Sequence, residues 1–235
     1  MARAFFLFAS LASMLFFHQS ACCQFPEPWE PVASLLARNK VKCITRISYG
    51  ADSAEFTRYT HSFDRDGRET GFNDWSGKHT VANDTLYNPE GKPVRIRHLR
   101  DGSLHHTDTL VYEDEGYYKR INTMAGRSLP VTYAHRPSGE MMFYTMGDSV
   151  RVNCTYGAMG RLTRVQGIRS NSSQYVFAYT YDALGRVSEI VRSGSLNTRE
   201  RITYNQAGLP TRMDVLRQTA NGAKQEFDIF IYTYY

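Results

Sequence analysis

His105-His106-Thr107-Asp108 is the densest set of metal-ligating and proton-transferring side chains in the sequence. Two imidazoles and a carboxylate could hold a transition metal. The segment falls between turn signals, however, where a hairpin end is expected, and a solvated loop is the favoured reading. Asp64-Arg65-Asp66 and Glu113-Asp114-Glu115 offer paired carboxylates. A glycosidase pair needs an enclosed cleft with its carboxyls about 5–9 Å apart, and turn tips are open to water. Ser193-Gly194-Ser195 has only a superficial likeness to a serine nucleophile elbow. The chain has no H-E-x-x-H zinc motif, no phosphate loop and no C-x-x-C pair. The expectation is a protein that is not an enzyme and needs no metal and no cofactor.

The elements that would position these residues follow from composition. The chain has 235 residues, 42% hydrophobic and 22% charged, with net charge +5. Those values exclude a polytopic membrane protein, a collagen-like chain and a fully disordered one. Charges are interspersed, and the longest basic run, Arg95-Ile96-Arg97-His98-Leu99-Arg100, alternates like the solvent face of a strand. No nucleic-acid partner is expected. Aromatic residues make up 13% of the chain, as 16 Tyr, 13 Phe and 2 Trp.

Most of these aromatics belong to a repeat. An aromatic followed four residues later by Gly leads Phe63–Gly67, Tyr87–Gly91, Tyr112–Gly116, Tyr156–Gly160, Tyr181–Gly185 and Tyr204–Gly208. A seventh copy, Tyr133 to Gly139, carries two extra residues. The leads are 24, 25, 21, 23, 25 and 23 residues apart. Asp64 and Asp182, at the first turn position, can accept hydrogen bonds from backbone two residues on. Gly67, Gly91, Gly116, Gly160, Gly185 and Gly208 suit the left-handed residue of a type I turn with a bulge. Each unit therefore reads as a hairpin, with Tyr181 opposite Val187 as an aromatic–β-branched pair.

The fold class expected is all-β: an antiparallel β-hairpin array of about seven repeats, as an elongated twisted meander, a spiral or an open barrel. Phe227 to Tyr235 reads as a last strand forming the closing edge. Pro31 to Ala37 reads as a short capping helix, and Lys42 to Tyr49 as an irregular first strand.

Arg3, the apolar run Ala4 to Phe17 and the small-residue exit before Gln24 fit a secretory signal peptide. The run is short for a membrane span. The organisation expected is residues 1–23 as signal, 24–55 as cap and first strand, and 56–235 as repeat domain. Gln19-Ser20-Ala21-Cys22 offers a second route, lipidation at Cys22, though it lacks the usual Leu three residues before the cysteine. Cleavage before Gln24 would leave Cys43 and Cys154, either paired in an oxidising compartment or buried as two thiols.

The clearest copy, Phe177-Ala178-Tyr179-Thr180-Tyr181-Asp182-Ala183-Leu184-Gly185-Arg186-Val187, resembles the YD repeat of the Rhs family of bacterial surface and toxin proteins, also found in teneurins. The resemblance covers residues 56 to 215, and is specific at the Phe63, Tyr156 and Tyr181 copies. It implies a secreted β-sheet spiral with carbohydrate or surface binding, and brings no catalytic residues. Seven copies are too few to enclose a cargo, so encapsulation is not carried over. The function expected is an exported, non-enzymatic binding or structural module in the periplasm, on the outer surface or outside the cell. Its partner would be a cell-surface glycan or another envelope protein, with membrane contact only through a lipid anchor. The alternative is an immunity protein that masks a toxin by strand addition. Candidate exposed binding rings are Trp75, Tyr117, Tyr118, Phe143, Tyr144 and Tyr175.

Overall fold

The repeat turns are fixed by local chemistry. In a computed structural model, Asp64 Oδ1 accepts the backbone N–H groups of Asp66 and Arg68, each at 2.9 Å. Asp182 does the same for Leu184 and Arg186, both at 2.9 Å. Asn88 and Asn205 each hold the N–H four residues on, at 2.8 and 2.9 Å. The fourth turn residue is left-handed, with φ of 75–83° at Gly67, Gly91, Gly185 and Gly208, where a side chain would be strained. A bulge beside the lead aromatic sets Phe63 opposite Glu69, Tyr87 opposite Pro93, Tyr156 opposite Leu162, Tyr181 opposite Val187 and Tyr204 opposite Pro210, whereas Tyr112 stands opposite Tyr118 in unbroken register. A hydroxyl three residues past the glycine closes four of the hairpins: Thr70, Thr163, Ser188 and Thr211 donate to Ser62, Thr155, Thr180 and Thr203 carbonyls at 3.1–3.2 Å.

The structure describes residues 28–235 except 75–80, 113–116, 125–126, 137–139, 147–149, 170–173 and 195–196. The signal segment, Cys22, Trp75 and Gly116 lie outside the described residues. A six-residue helix, α1 (Ala33–Arg38), precedes sixteen strands. These are β1 (Val41–Tyr49), β2 (Glu55–Phe63), β3 (Glu69–Asp74), β4 (Val81–Tyr87), β5 (Pro93–Arg100), β6 (Ser103–Tyr112), β7 (Tyr117–Met124) and β8 (Arg127–His135). They continue as β9 (Met141–Met146), β10 (Val150–Tyr156), β11 (Leu162–Arg169), β12 (Gln174–Tyr181), β13 (Val187–Ser193), β14 (Asn197–Tyr204), β15 (Pro210–Thr219) and β16 (Gly222–Tyr234). No helix among the described residues is long and apolar enough to cross a membrane.

Every sequential pair is antiparallel, and β1 also pairs with β16, from Cys43 opposite Thr233 to Tyr49 opposite Phe227. The hairpin array is present, and its ends meet in a closed barrel rather than an open sheet. The last strand is therefore not an edge but the closing seam. Seven repeats supply fourteen strands, and β1 and β16 complete the ring. The count corrects one repeat. His135, not Tyr133, takes the bulge position opposite Met141, and the Arg136 N–H donates to the Glu140 carbonyl at 2.8 Å, as Asp64 does to Arg68. The unit has no insertion; its lead is a histidine.

Lead tyrosines stitch each repeat to the one before it. The hydroxyls of Tyr87, Tyr112, Tyr181 and Tyr204, and of Tyr232 on the last strand, donate to the carbonyls of Glu69, Pro93, Leu162, Val187 and Pro210 at 2.5–2.8 Å. The residue after the turn glycine lies over the next lead ring: Lys92 over Tyr112, Arg161 over Tyr181 and Arg186 over Tyr204, at 4.7–5.5 Å. Burial holds the Tyr204 and Tyr232 hydroxyls well above the usual phenol range, and pushes Tyr156 up to about 12. These bonds therefore persist across the working pH range. Tyr204→Phe should lower the free energy of unfolding by about 1 kcal/mol in a urea titration, because only the bond to Val187 is lost and the ring keeps its packing.

The turn end of the barrel is filled. Trp29 and Leu36 pack with Val41, Ile44, Leu162, Val187, Ile202, Leu209 and Phe230, residues of the first and later strands and a turn. The Tyr235 N–H bonds the Lys40 carbonyl at 3.0 Å, and the Tyr235 hydroxyl reaches the Phe63 carbonyl. Alternation separates the walls. On β14, Thr198, Glu200 and Ile202 are buried while Asn197, Arg199, Arg201 and Thr203 are exposed. A membrane barrel would present apolar residues on that outer wall.

Candidate functional site

Inward-facing positions of β4, β5 and β6 bring together the strongest cluster of chemical groups. Along β5 the alternation turns Arg95 and Arg97 out and Ile96 and His98 in. Along β6 it turns Asp108 and Leu110 in. The register sets His106 opposite His98, and Asn83 of β4 opposite His98 on its other side. His98 is 5% exposed, Asn83 6% and Asp108 0%.

His98 Nε2 lies 2.7 Å from Asp108 Oδ2. A carboxylate can only accept, so His98 Nε2 carries the shared hydrogen. The His98 and His106 rings stack at 3.9 Å with a 14° interplanar angle. His98, His106 and Asp108 offer ligand atoms within 4.8 Å of one another.

This arrangement corrects the reading of His105 to Asp108 as a hairpin end. The segment lies within β6, where His105 is exposed and Asp108 is buried. The decisive partner, His98, is eight residues upstream of His106 and comes beside it by strand register. Period-2 alternation would have revealed the pairing had residues 103–112 been read as strand.

The rings expected to be exposed fall differently. Tyr175 is buried, 7% exposed, and lies against Gly167, where an added Cβ would meet the ring at 2.0 Å. Tyr144 is half-buried on the inner wall, tilted against Tyr133 at 5.6 Å, and burial raises its hydroxyl pKa. Neither is an open platform. Phe143 is half-buried with the Arg151 guanidinium 5.5 Å from its ring centroid. Tyr117 and Tyr118 lie in β7, and their side chains, like Trp75, are outside the described residues. Cys43 and Cys154 are free thiols, on β1 and β10, so the disulfide alternative is corrected. Cys43 Sγ lies 3.8 Å from Ser62 Oγ, and burial pushes the Cys154 thiol up to about 12.

An outer-wall aromatic pair was missed in the sequence. Tyr49 and Phe227, opposite each other at the β1–β16 seam, stack at 4.8 Å and 16°. Arg212 lies 4.3 Å over Phe227 and donates to Asp214 Oδ1 at 2.8 Å. The only signal available was that both rings fall at the ends of the strands read from the sequence, Lys42 to Tyr49 and Phe227 to Tyr235; in the structure Phe227 lies within β16. Pairing of the first and last strands brings them together.

At the turn end, His61 Nδ1 lies 3.3 Å from Glu69 Oε1. Burial alone would lower the His61 pKa, but the Glu69 carboxylate, its hydrogen bond and Glu30 outweigh burial and the Arg46 charge and raise it above the ordinary 6.5. The resulting stabilisation is fully present below pH 6.5 and is lost as pH rises through the raised value. The urea midpoint should fall over that window, and His61→Gln should flatten the fall.

No protein-family model matches the chain, and no curated protein matches it. The solved structures similar to it in part include these three. One is a chain of the TcdB2-TccC3-Cdc42 crystal structure, 14% identical with a TM-score of 0.38, covering 70% of this chain and 9% of that one. A porin-like protein from Bacteroides uniformis is 11% identical with a TM-score of 0.41, covering 83% of this chain and 97% of that one. A putative exported protein with YmcC-like fold from Bacteroides fragilis is 12% identical with a TM-score of 0.21, covering 80% and 92%. TM-scores this low carry no argument. The chain spans 9% of the length of the first of these.

Proposed function

We propose that this chain is an exported, non-enzymatic binding module whose hairpin repeats form a rigid ring and whose outer wall holds a glycan of the cell envelope. The observation that carries the reading is the Tyr49–Phe227 stack beside the Arg212–Asp214 pair. Sugars present flat C–H faces to aromatic rings and hydroxyls to planar charged groups, and this patch offers both. The groups are half-buried, anchored in strands and oriented by one another, which limits the ordering cost of binding. The leader-like first residues and the YD-type repeat support export and surface binding. The resemblance brings no catalytic residues, which supports a non-enzymatic role.

Toxin masking by strand addition would need a free edge. Every described strand is paired on both sides, so the observations favour the glycan reading.

The test is retention on envelope fractions and on a glycan array. The protein should bind at least one envelope polysaccharide, and Phe227→Ala together with Tyr49→Ala should abolish retention while the barrel still melts cooperatively. Absence of retention on every fraction, or unchanged retention in the double variant, would overturn the proposal.

A further inference from the structure

We propose that His98, His106 and Asp108 form a binding site for one divalent transition-metal ion of the zinc class, inside the barrel and independent of the outer wall. The donor set is the first argument. Two imidazoles and one carboxylate match the nitrogen and oxygen ligands zinc takes in three-ligand sites, with a fourth position left for water. Calcium and magnesium prefer all-oxygen sets.

Burial is the second argument. Asp108 is 0% exposed, and an enclosed carboxylate requires cationic or hydrogen-bonding partners. His98 supplies one at 2.7 Å. A metal ion would serve both and also draw on His106, whose ring is already stacked on His98. Tetrahedral zinc at its usual ligand distances holds donor atoms about 3.3 Å apart. The three donors lie within 4.8 Å of one another, so side-chain rotations of a fraction of an ångström to about 1.5 Å complete the set.

The third argument is Asn83. It sits directly opposite His98 on the same wall, is 6% exposed, and its Oδ1 has no hydrogen-bond partner. A buried amide oxygen left so is costly. A metal-bound water beside His98 would donate to it and satisfy it. His105, adjacent in sequence but exposed on the outer wall, serves as the internal control.

The experiment uses the full chain stripped with a chelator and titrated with zinc by calorimetry, with cobalt(II) as an optical probe of geometry. One ion per chain should bind, with the absorption of a four-coordinate nitrogen–oxygen site. Asp108→Asn and His106→Gln should each weaken binding by more than about 100-fold, beyond the usual effect of losing an outer-shell partner, and Asn83→Ala by about 10-fold. His105→Ala should leave affinity unchanged. A variant that fails to fold does not end the test, because zinc should shift the ring-nitrogen resonances of His98 and His106 in the unaltered protein and leave those of His105 in place. No binding by the folded protein, binding that survives Asp108→Asn, or resonance shifts at His105 alone would overturn the proposal.

Discussion

Gly67→Ala is expected to destabilise the protein by about 3–5 kcal/mol, far more than the same change at Gly208. Both glycines are left-handed, with φ of +77° and +83°, and alanine in that conformation costs about 1–2 kcal/mol at either site. The difference lies in what the new Cβ meets. At Gly67 it would fall 2.1 Å from the Ala33 carbonyl oxygen and 3.0 Å from the Ala37 nitrogen. At Gly208 nothing lies within 4 Å. The atoms met at Gly67 are backbone of α1, so the helix must move. Moving it withdraws Leu36, 2% exposed, from the barrel mouth, and uncovering a side chain of that size costs about 1.5–3 kcal/mol. Urea unfolding of the two variants measures the contrast. Equal losses would mean that α1 does not rest on the Phe63 turn.

The second large effect is expected at the seam. Arg46 on β1 and Asp228 on β16 face each other's strands inside the barrel, with side chains 11% and 6% exposed. Arg46 Nε donates to Asp228 Oδ2 at 3.0 Å, and the guanidinium lies 5.7 Å from the Trp29 ring centroid and 5.8 Å from that of Phe230. One side chain thus touches the first strand's partner and the plug. Arg46→Ala should cost about 3–5 kcal/mol, because it leaves a buried carboxylate without its cation. The double replacement Arg46→Met with Asp228→Leu should recover most of that loss, since apolar pairs often match a buried ion pair. Denaturation of Arg46→Met alone, Asp228→Leu alone and the double variant forms the cycle, with Arg46→Ala measured beside it. A double variant as unstable as Arg46→Ala would locate the effect in lost packing on Trp29 rather than in the stranded charge.

Parts of this structure were legible because they are local. The spacing of an aromatic, an Asp or Asn and a Gly determines a turn within six residues, and Asp64 and Asp182 make the bonds their type implies. Period-2 alternation placed Arg95 and Arg97 on an outer face. A search for Tyr or Phe leads could not find His135, which fills the lead position by register, while Tyr133, 0% exposed, is core. Longer-range facts were not legible. Closure depends on how the twist of sixteen strands adds up, and no residue in β1 or β16 announces it. The stacked Tyr49–Phe227 pair and the free thiols of Cys43 and Cys154 both follow from that closure, which sets β1 beside β16 and leaves β10 elsewhere in the ring. The inner cluster needed the β5–β6 register to bring His98 to Asp108.

Closure is the central claim, because it joins the outer aromatic pair, encloses the histidine cluster and removes the free edges. Its most direct measurement is a cysteine cross-link at the seam. Thr45 and Ile231 are register partners across β1 and β16, and directly opposed residues have Cβ atoms about 4.5–5.5 Å apart, close enough for a disulfide with small adjustment. With the native cysteines replaced by serine, the Thr45→Cys, Ile231→Cys protein should form an intrachain disulfide in the folded monomer and fail to form it in urea. The off-register pair Thr45→Cys, Gln225→Cys should not form one. Cross-links that appear only between chains, or equal yields for both pairs, would mean that the first and last strands do not meet.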